Sequence, residues 1–227
     1  MKVAVMFSGG KDSSMALKHV IDQGWKVEAL ISVKPKSTES FLYQYATVEW
    51  SKLSAEALDI PLIYIKSEKI GPKEEADELE GVFKTLNVDA IIVGGVGLQK
   101  TQIREWKRVA GKFGMDLIVP YQNLTSEELL REEIKVGFDI RITSVASDGL
   151  GPEWLGERLD STNLENWLEL SKKFGFDCLG EGGYMDSFIC DAPFFKRRIE
   201  FTSTEKVWDN STNSGYLKVN DAYLVSK

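Results

Sequence analysis

Hydrophobic and polar positions alternate between two periods up to about residue 145. Residues 3–7 form a continuous apolar run of strand length, and 13–23 follow with Ala16, Leu17, Val20 and Ile21 on one helical face. Gly24 stands where a left-handed cap would end that helix. The pattern then predicts a strand at 27–33, a helix at 45–58 ended by Asp59 and Pro61, and a strand at 62–65. A helix follows at 73–86, with Ala76, Leu79, Phe83 and Leu86 inward and the acids Glu74, Glu75, Asp77, Glu78 and Glu80 on a solvated face. Strands at 90–93 and 117–119 flank a helix at 101–113 that passes through Ile103, Trp106, Ala110 and Phe113. Strands apolar on both faces and separated by helices predict an α/β fold: a parallel sheet covered on both sides, joined by right-handed crossovers.

After Pro120 the pattern changes. A helix is predicted at 126–136, a strand at 139–146, a loop carrying Gly149, Gly151, Pro152 and Gly156, and a helix at 164–174. From Phe188 onward the chain is β-rich, with a hairpin turn around 210–215. The expected organisation is a core at 1–121 and a smaller α+β part at 122–227.

Composition narrows the chemistry. Lys plus Arg total 28 against 35 Asp plus Glu, a net charge of −7. That argues against broad capture of nucleic acid or of an anionic membrane surface. The two cysteines, Cys178 and Cys190, form no CxxC pair, which excludes a thiolate zinc or iron–sulfur site; a reducing compartment is the simpler reading than a disulfide. The single histidine, His19, leaves little room for histidine-based catalysis and reads as a helix-surface residue. No apolar run reaches membrane-span length, and the opening MKVAVMFSGGKDS turns polar too early for a signal peptide. A cytoplasmic protein is expected. The β-rich C-terminal segment could pair across a homodimer.

The strongest local signal is Ser8-Gly9-Gly10-Lys11-Asp12-Ser13, between the first strand and the first helix. Two glycines let main-chain N–H groups approach an anion, and the helix N-terminus adds free donors and a partial positive charge. Ser8 and Ser13 add hydroxyls and Lys11 a point charge. It is neither a Walker A loop nor a dinucleotide fingerprint.

This hexapeptide resembles the pyrophosphate loop of the N-type ATP pyrophosphatases. The resemblance implies an adenine-nucleotide α-hydrolase-like, Rossmann-type fold. It implies that Ser8, Gly9, Gly10, Lys11, Asp12 and Ser13 hold the phosphates of ATP with Mg²⁺, Asp12 being the candidate metal ligand, and that adenine rests near Ser32 and Val33.

A second constellation lies downstream. Gly180-Glu181-Gly182-Gly183 precedes Tyr184-Met185-Asp186-Ser187 and a strand ending at Asp191-Ala192-Pro193, and Trp154-Leu155-Gly156-Glu157-Arg158-Leu159-Asp160 stands upstream. Together with the loop these resemble the diphthine–ammonia ligases, from residue 1 to about 200. The chain departs from that family's pattern at Tyr184, where a Glu is usual, at Ser187, where a Thr is usual, and at Tyr43-Gln44, where an aromatic-His pair is usual. After the fourth strand it has Lys100-Thr101-Gln102-Ile103 and Arg104 in place of an acid-Tyr-Gln-Arg run.

The resemblance implies an ATP-dependent amide ligase. A substrate carboxylate, diphthine on elongation factor 2, is adenylated with release of pyrophosphate, and ammonia then displaces AMP. Lys11, Asp12, Glu181 and Asp186 are the candidate catalytic residues: the lysine for the departing pyrophosphate, the two downstream carboxylates for ammonium or its proton. Gln102, Arg104, Gly182, Gly183 and Tyr184 are the candidate substrate contacts. Neither cysteine suits a glutaminase, so free ammonia is the expected nitrogen source. Two other readings stay open, a pyrophosphatase-type ligase for another acid and a non-catalytic adenine-nucleotide sensor. Glu181, Asp186 and Arg104 could equally be structural residues, and Trp106, Trp154 and Trp167 read as core anchors.

Overall fold

The computed structural model describes residues 1–37, 39–40 and 42–227. Strand β1 (Lys2–Met6) runs into helix α1 (Lys11–Asp22), which ends at Gly24, φ +65°. Then come β2 (Lys26–Lys34), α2 (Ser51–Leu58), β3 (Leu62–Lys66), the short helices α3 (Pro72–Asp77) and α4 (Glu80–Phe83), β4 (Ala90–Ile92), α5 (Lys100–Lys112) and β5 (Asp116–Ile118). The five strands form one parallel sheet in the order β3-β2-β1-β4-β5. The order reverses between β1 and β4, so the crevice beyond their carboxyl ends is the topological switch point where such sheets bind ligands.

Helix α6 (Ser126–Val136) begins with a reciprocal cap: Thr125 Oγ1 accepts from Glu128 N at 3.2 Å, and Thr125 N donates to the Glu128 carboxylate at 2.8 Å. Five more strands and α7 (Leu164–Phe174) complete the chain: β6 (Asp139–Ala146), β7 (Arg158–Leu159), β8 (Met185–Asp191), β9 (Arg197–Asp209) and β10 (Ser214–Ser226). They form a second, antiparallel sheet in the order β7-β6-β10-β9, with β8 paired to β6. The expected α/β class is thus observed, with an antiparallel sheet added.

The unbroken apolar runs in the first sheet have a direct cause. Val3, Val5, Leu30 and Ile92 face one core, while Ala4, Met6, Ile31 and Ile91 face another lined by Phe83 and Trp106. The first core continues into the second sheet through Ile140, Ile142 and Phe188, so both sheets close over shared apolar side chains. Each such fully buried aliphatic side chain is worth about 1.5–3 kcal/mol. Trp106, Trp154 and Trp167 are all buried core residues. Cys178 and Cys190 are buried free thiols, and His19 is half-buried, edge-on to Trp25 and Tyr121. Among the described residues no helix is long and apolar enough to cross a membrane.

Two elements differ from the sequence pattern. The helix expected at 45–58 starts later, because Thr47 takes the left-handed conformation (φ +62°) and only a 3-10 turn at Val48–Trp50 precedes α2. The helix expected at 73–86 breaks into α3 and α4, with tightened turns from Leu79 N to Ala76 O and from Val82 N to Leu79 O. This brings Ala76, Leu79 and Phe83 all to full burial. It also turns Glu75 inward, so that acid is not on a solvated face.

Candidate active site

The loop after β1 is shaped by close approach. Gly9 has φ +85°, and a Cβ there would stand 2.7 Å from the Phe188 ring. Gly94, at the end of β4, leaves no room either: a Cβ would lie 2.8 Å from Ser13 N and collide with the Asp12 carbonyl. Strand β8 runs beside the loop. Ile189 N donates to Gly9 O at 2.8 Å, and Lys11 N to Ser187 Oγ at 3.2 Å. Ser13 Oγ donates to Gly10 O at 3.0 Å, and Gly10 N to Ser8 Oγ at 3.2 Å.

Beyond this loop, at the switch point, opens a cavity of about 1130 Å³. Ser8, Asp12, Ser13, Val33 and Gly94 line its first side, and Gln102, Glu181, Gly182, Gly183 and Asp186 line another. Residues far apart in sequence therefore face one space. Gln102 Nε2 donates to Leu42 O and so also holds the wall at 42–46.

Lys11 does something different from what its sequence position suggests. Its side chain is 2% exposed and is absent from the cavity wall. Nζ donates to Asp12 Oδ2 at 2.7 Å and to Leu179 O at 2.6 Å. Burial alone would lower its pKa, but the carboxylates of Asp12, Glu133 and Glu181 outweigh that and keep the ammonium charged. The Lys11 charge thus stands behind the loop, while Ser8 and Ser13 line the cavity itself.

Around Lys11 stands a group of acids. Glu133, on α6, is fully buried; burial first, and then the Asp12 charge, push its carboxyl well above the usual range. Glu181 is pushed up to about 7, by burial and then by Asp12. Its carboxylate accepts from Gln99 Nε2, which ties the loop after β4 to the glycine turn. Burial also raises Asp186, against a hydrogen bond from Ser144.

Three expected site residues stand elsewhere. Arg104 points outward and pairs with Glu105 at 2.9 Å, because α5 keeps its inner face for Trp106 and Val109. Tyr184 is absent from the cavity wall; its ring packs on Phe176 with centroids 6.4 Å apart. Ser32 is buried, its hydroxyl donating to Phe7 O, while Val33 faces the cavity.

Sequence reasoning missed Glu75, Gln99 and Glu133. Glu75 accepts from Ser40 Oγ and Leu42 N, each at 2.9 Å, and from Gly71 N at 3.3 Å, so it anchors the cavity wall at Ser40 and Leu42. For Glu133 a signal existed: Leu129, Leu130 and Glu133 share the inner face of their helix.

A solved chain described as a predicted subunit of tRNA methyltransferase from Methanocaldococcus jannaschii is 15% identical, with TM-score 0.47 over 85% of this chain and 98% of that one. The model of the diphthamide synthase N-terminal domain matches residues 1–135, and that of the diphthamide synthase C-terminal domain matches 125–225. The diphthine–ammonia ligases of Homo sapiens and Bos taurus are each 32% identical over all of this chain and 94% of their own length. That of Schizosaccharomyces pombe is 31% identical over 96% of this chain and 39% of its own. With both domain models matched end to end, the chain belongs to the diphthamide synthase family, the family of the diphthine–ammonia ligases.

Proposed function

We propose that this chain joins ammonia to a carboxylate with ATP as the activating co-substrate, and that the acid is diphthine on elongation factor 2. The supporting observation is that Asp12 and Ser13 of the phosphate loop face Glu181 and Asp186 across one cavity at the switch point. In this reading residues 1–121 bind ATP and 122–227 contribute the substrate side.

Amide formation from a carboxylate and ammonia needs a better leaving group than oxide. The substrate carboxylate attacks the α-phosphorus, pyrophosphate departs, and ammonia then attacks the acyl carbon as AMP leaves. Ser8, Ser13 and the first N–H groups of α1 bind the departing phosphates, with the buried Lys11 charge behind them. Glu181, held near neutrality by its burial, is suited to take the proton that ammonia must lose. Asp186 supplies a second carboxylate to attract ammonium. Gln102 holds the wall, and Gly182 and Gly183 keep the approach open.

Mg²⁺ fits the donors present. Asp12 Oδ1 is buried without a hydrogen-bond partner, and the hydroxyls of Ser8 and Ser13 lie 3.4 Å apart on the same loop. No group of three His, Cys, Asp or Glu among the described residues could hold a metal by itself. Asp12 would thus share the ion with phosphate oxygens and water, as suits a hard cation that keeps its waters. The ion would neutralise phosphate charge.

The test is a reaction of the whole protein with MgATP, ammonium and diphthine-bearing elongation factor 2. AMP, pyrophosphate and the amide should appear together; ADP and phosphate would refute the reading. Tyr184, turned onto Phe176, favours one alternative, a ligase for a different acid. In that case AMP forms with another acid while cells lacking the ligase are not restored to diphthamide synthesis. ATP binding with no AMP formed with any acid would leave only a nucleotide sensor.

A further inference from the structure

The cavity extends past the phosphate loop onto the second sheet. Asp186, Ser144 and Tyr216 are register partners across β8, β6 and β10, and Tyr216 is in turn opposite Val207 on β9. All four line the cavity. Register partners project to one face, and neighbouring strands stand about 4.8 Å apart. The short Ser144 side chain therefore leaves a recess between a carboxylate and a phenol ring, about 10 Å apart by that spacing. Ser214 and Asp209 form the next cavity-lining pair along β10 and β9.

The charge of this face is one-sided. Among the described residues four carboxyl groups line the cavity, those of Asp12, Glu181, Asp186 and Asp209, against the ammonium of Lys100, and Asp12 is already paired with Lys11. Neither Asp186 nor Asp209 belongs to an ion pair among the described residues. Ser211 donates to Asp209 Oδ1 from N at 2.8 Å and from Oγ at 2.6 Å, which favours the ionised form.

We propose that this face binds a quaternary ammonium group of the substrate, with Tyr216 and Asp209 as specificity-determining residues. A quaternary ammonium has no N–H to donate, so it selects ring faces and carboxylates rather than amide oxygens. Tyr216 supplies the ring face, and Asp186 and Asp209 on the neighbouring strands supply the carboxylates. The assignment builds on the ligase reading, since diphthine carries a trimethylammonium group beside the carboxylate to be amidated.

The test uses the full chain in two arms. In the first, choline and its uncharged isostere 3,3-dimethylbutan-1-ol are titrated by NMR. Choline should bind about fivefold more tightly, Tyr216→Ala and Asp209→Asn should each remove that preference, and Tyr216→Phe should keep it. In the second, Tyr216→Ala should raise KM for diphthine-bearing elongation factor 2 about tenfold, with KM for ATP within about twofold. Equal binding of choline and the alcohol, or a choline preference that survives in both variants, overturns the cation site. So does AMP formation with unchanged KM for the protein substrate in both. A choline preference lost in the variants, in a protein that makes no amide, supports the cation site and refutes the ligase reading separately.

Discussion

Lys11 Nζ donates to the main-chain oxygen of Leu179 at 2.6 Å, across 168 positions of sequence. One buried charge thus holds the phosphate loop against the glycine turn that carries Glu181. Lys11→Met keeps most of the side-chain volume but leaves the Asp12 carboxylate without its countercharge. Removing one partner of a buried pair costs about 3–5 kcal/mol, so the urea midpoint should fall well below that of the parent protein. An unchanged midpoint would mean that the ammonium contributes nothing to the fold.

Glu181 predicts a pH dependence. Its folded pKa, about 7, lies above the ordinary carboxyl value. The folded protein therefore keeps a proton that the unfolded chain has already released. The stability from this group is fully present below the ordinary carboxyl pKa and is lost as pH rises through about 7. As a proton acceptor, Glu181 should make amide formation rise to a plateau above about 7 when free ammonia is held constant. Glu181→Gln should flatten both profiles, measured by denaturation and by AMP release across the same pH range.

Gly94 is expected to tolerate no side chain. A methyl group there meets the main chain at Asp12 and Ser13, which has no flexible end to swing aside. Gly94→Ala should cost about 1–3 kcal/mol of stability through overpacking. ATP affinity should fall with it, about tenfold for each 1.4 kcal/mol spent on displacing the loop. Calorimetric titration with ATP checks this, and Gly111→Ala, where a Cβ meets nothing within 4 Å, is the control.

Two polar residues make a matched pair. Glu75→Ala should raise KM for ATP, because Ser40 and Leu42 in the cavity wall lose their bonds to Glu75, and should cost about 1–3 kcal/mol for each buried donor left unpaired. Arg104→Ala, at an exposed pair with Glu105, should change stability by no more than about 1 kcal/mol and leave both KM values unchanged. Steady-state kinetics and thermal melts on the two variants distinguish an anchored cavity wall from a solvated helix face.

Much of the framework was legible in the chain itself. The helices Ser126–Val136 and Leu164–Phe174 and the strand Asp139–Ala146 have the bounds their periodicity predicts, because their caps and apolar faces are local. The tight loop between β1 and α1 was legible for the same reason, since two glycines between a strand and a helix are a contiguous signal. The break between α3 and α4, the inward turn of Glu75, the partner of Lys11 and the burial of Glu133 were decided only by the tertiary structure. Each depends on groups that the chain brings together from far away, where burial and charge outweigh helical period. The row of Asp186, Ser144 and Tyr216 belongs to that second kind. Strand register, set by how three distant segments pair, made neighbours of residues that no spacing in the sequence connects.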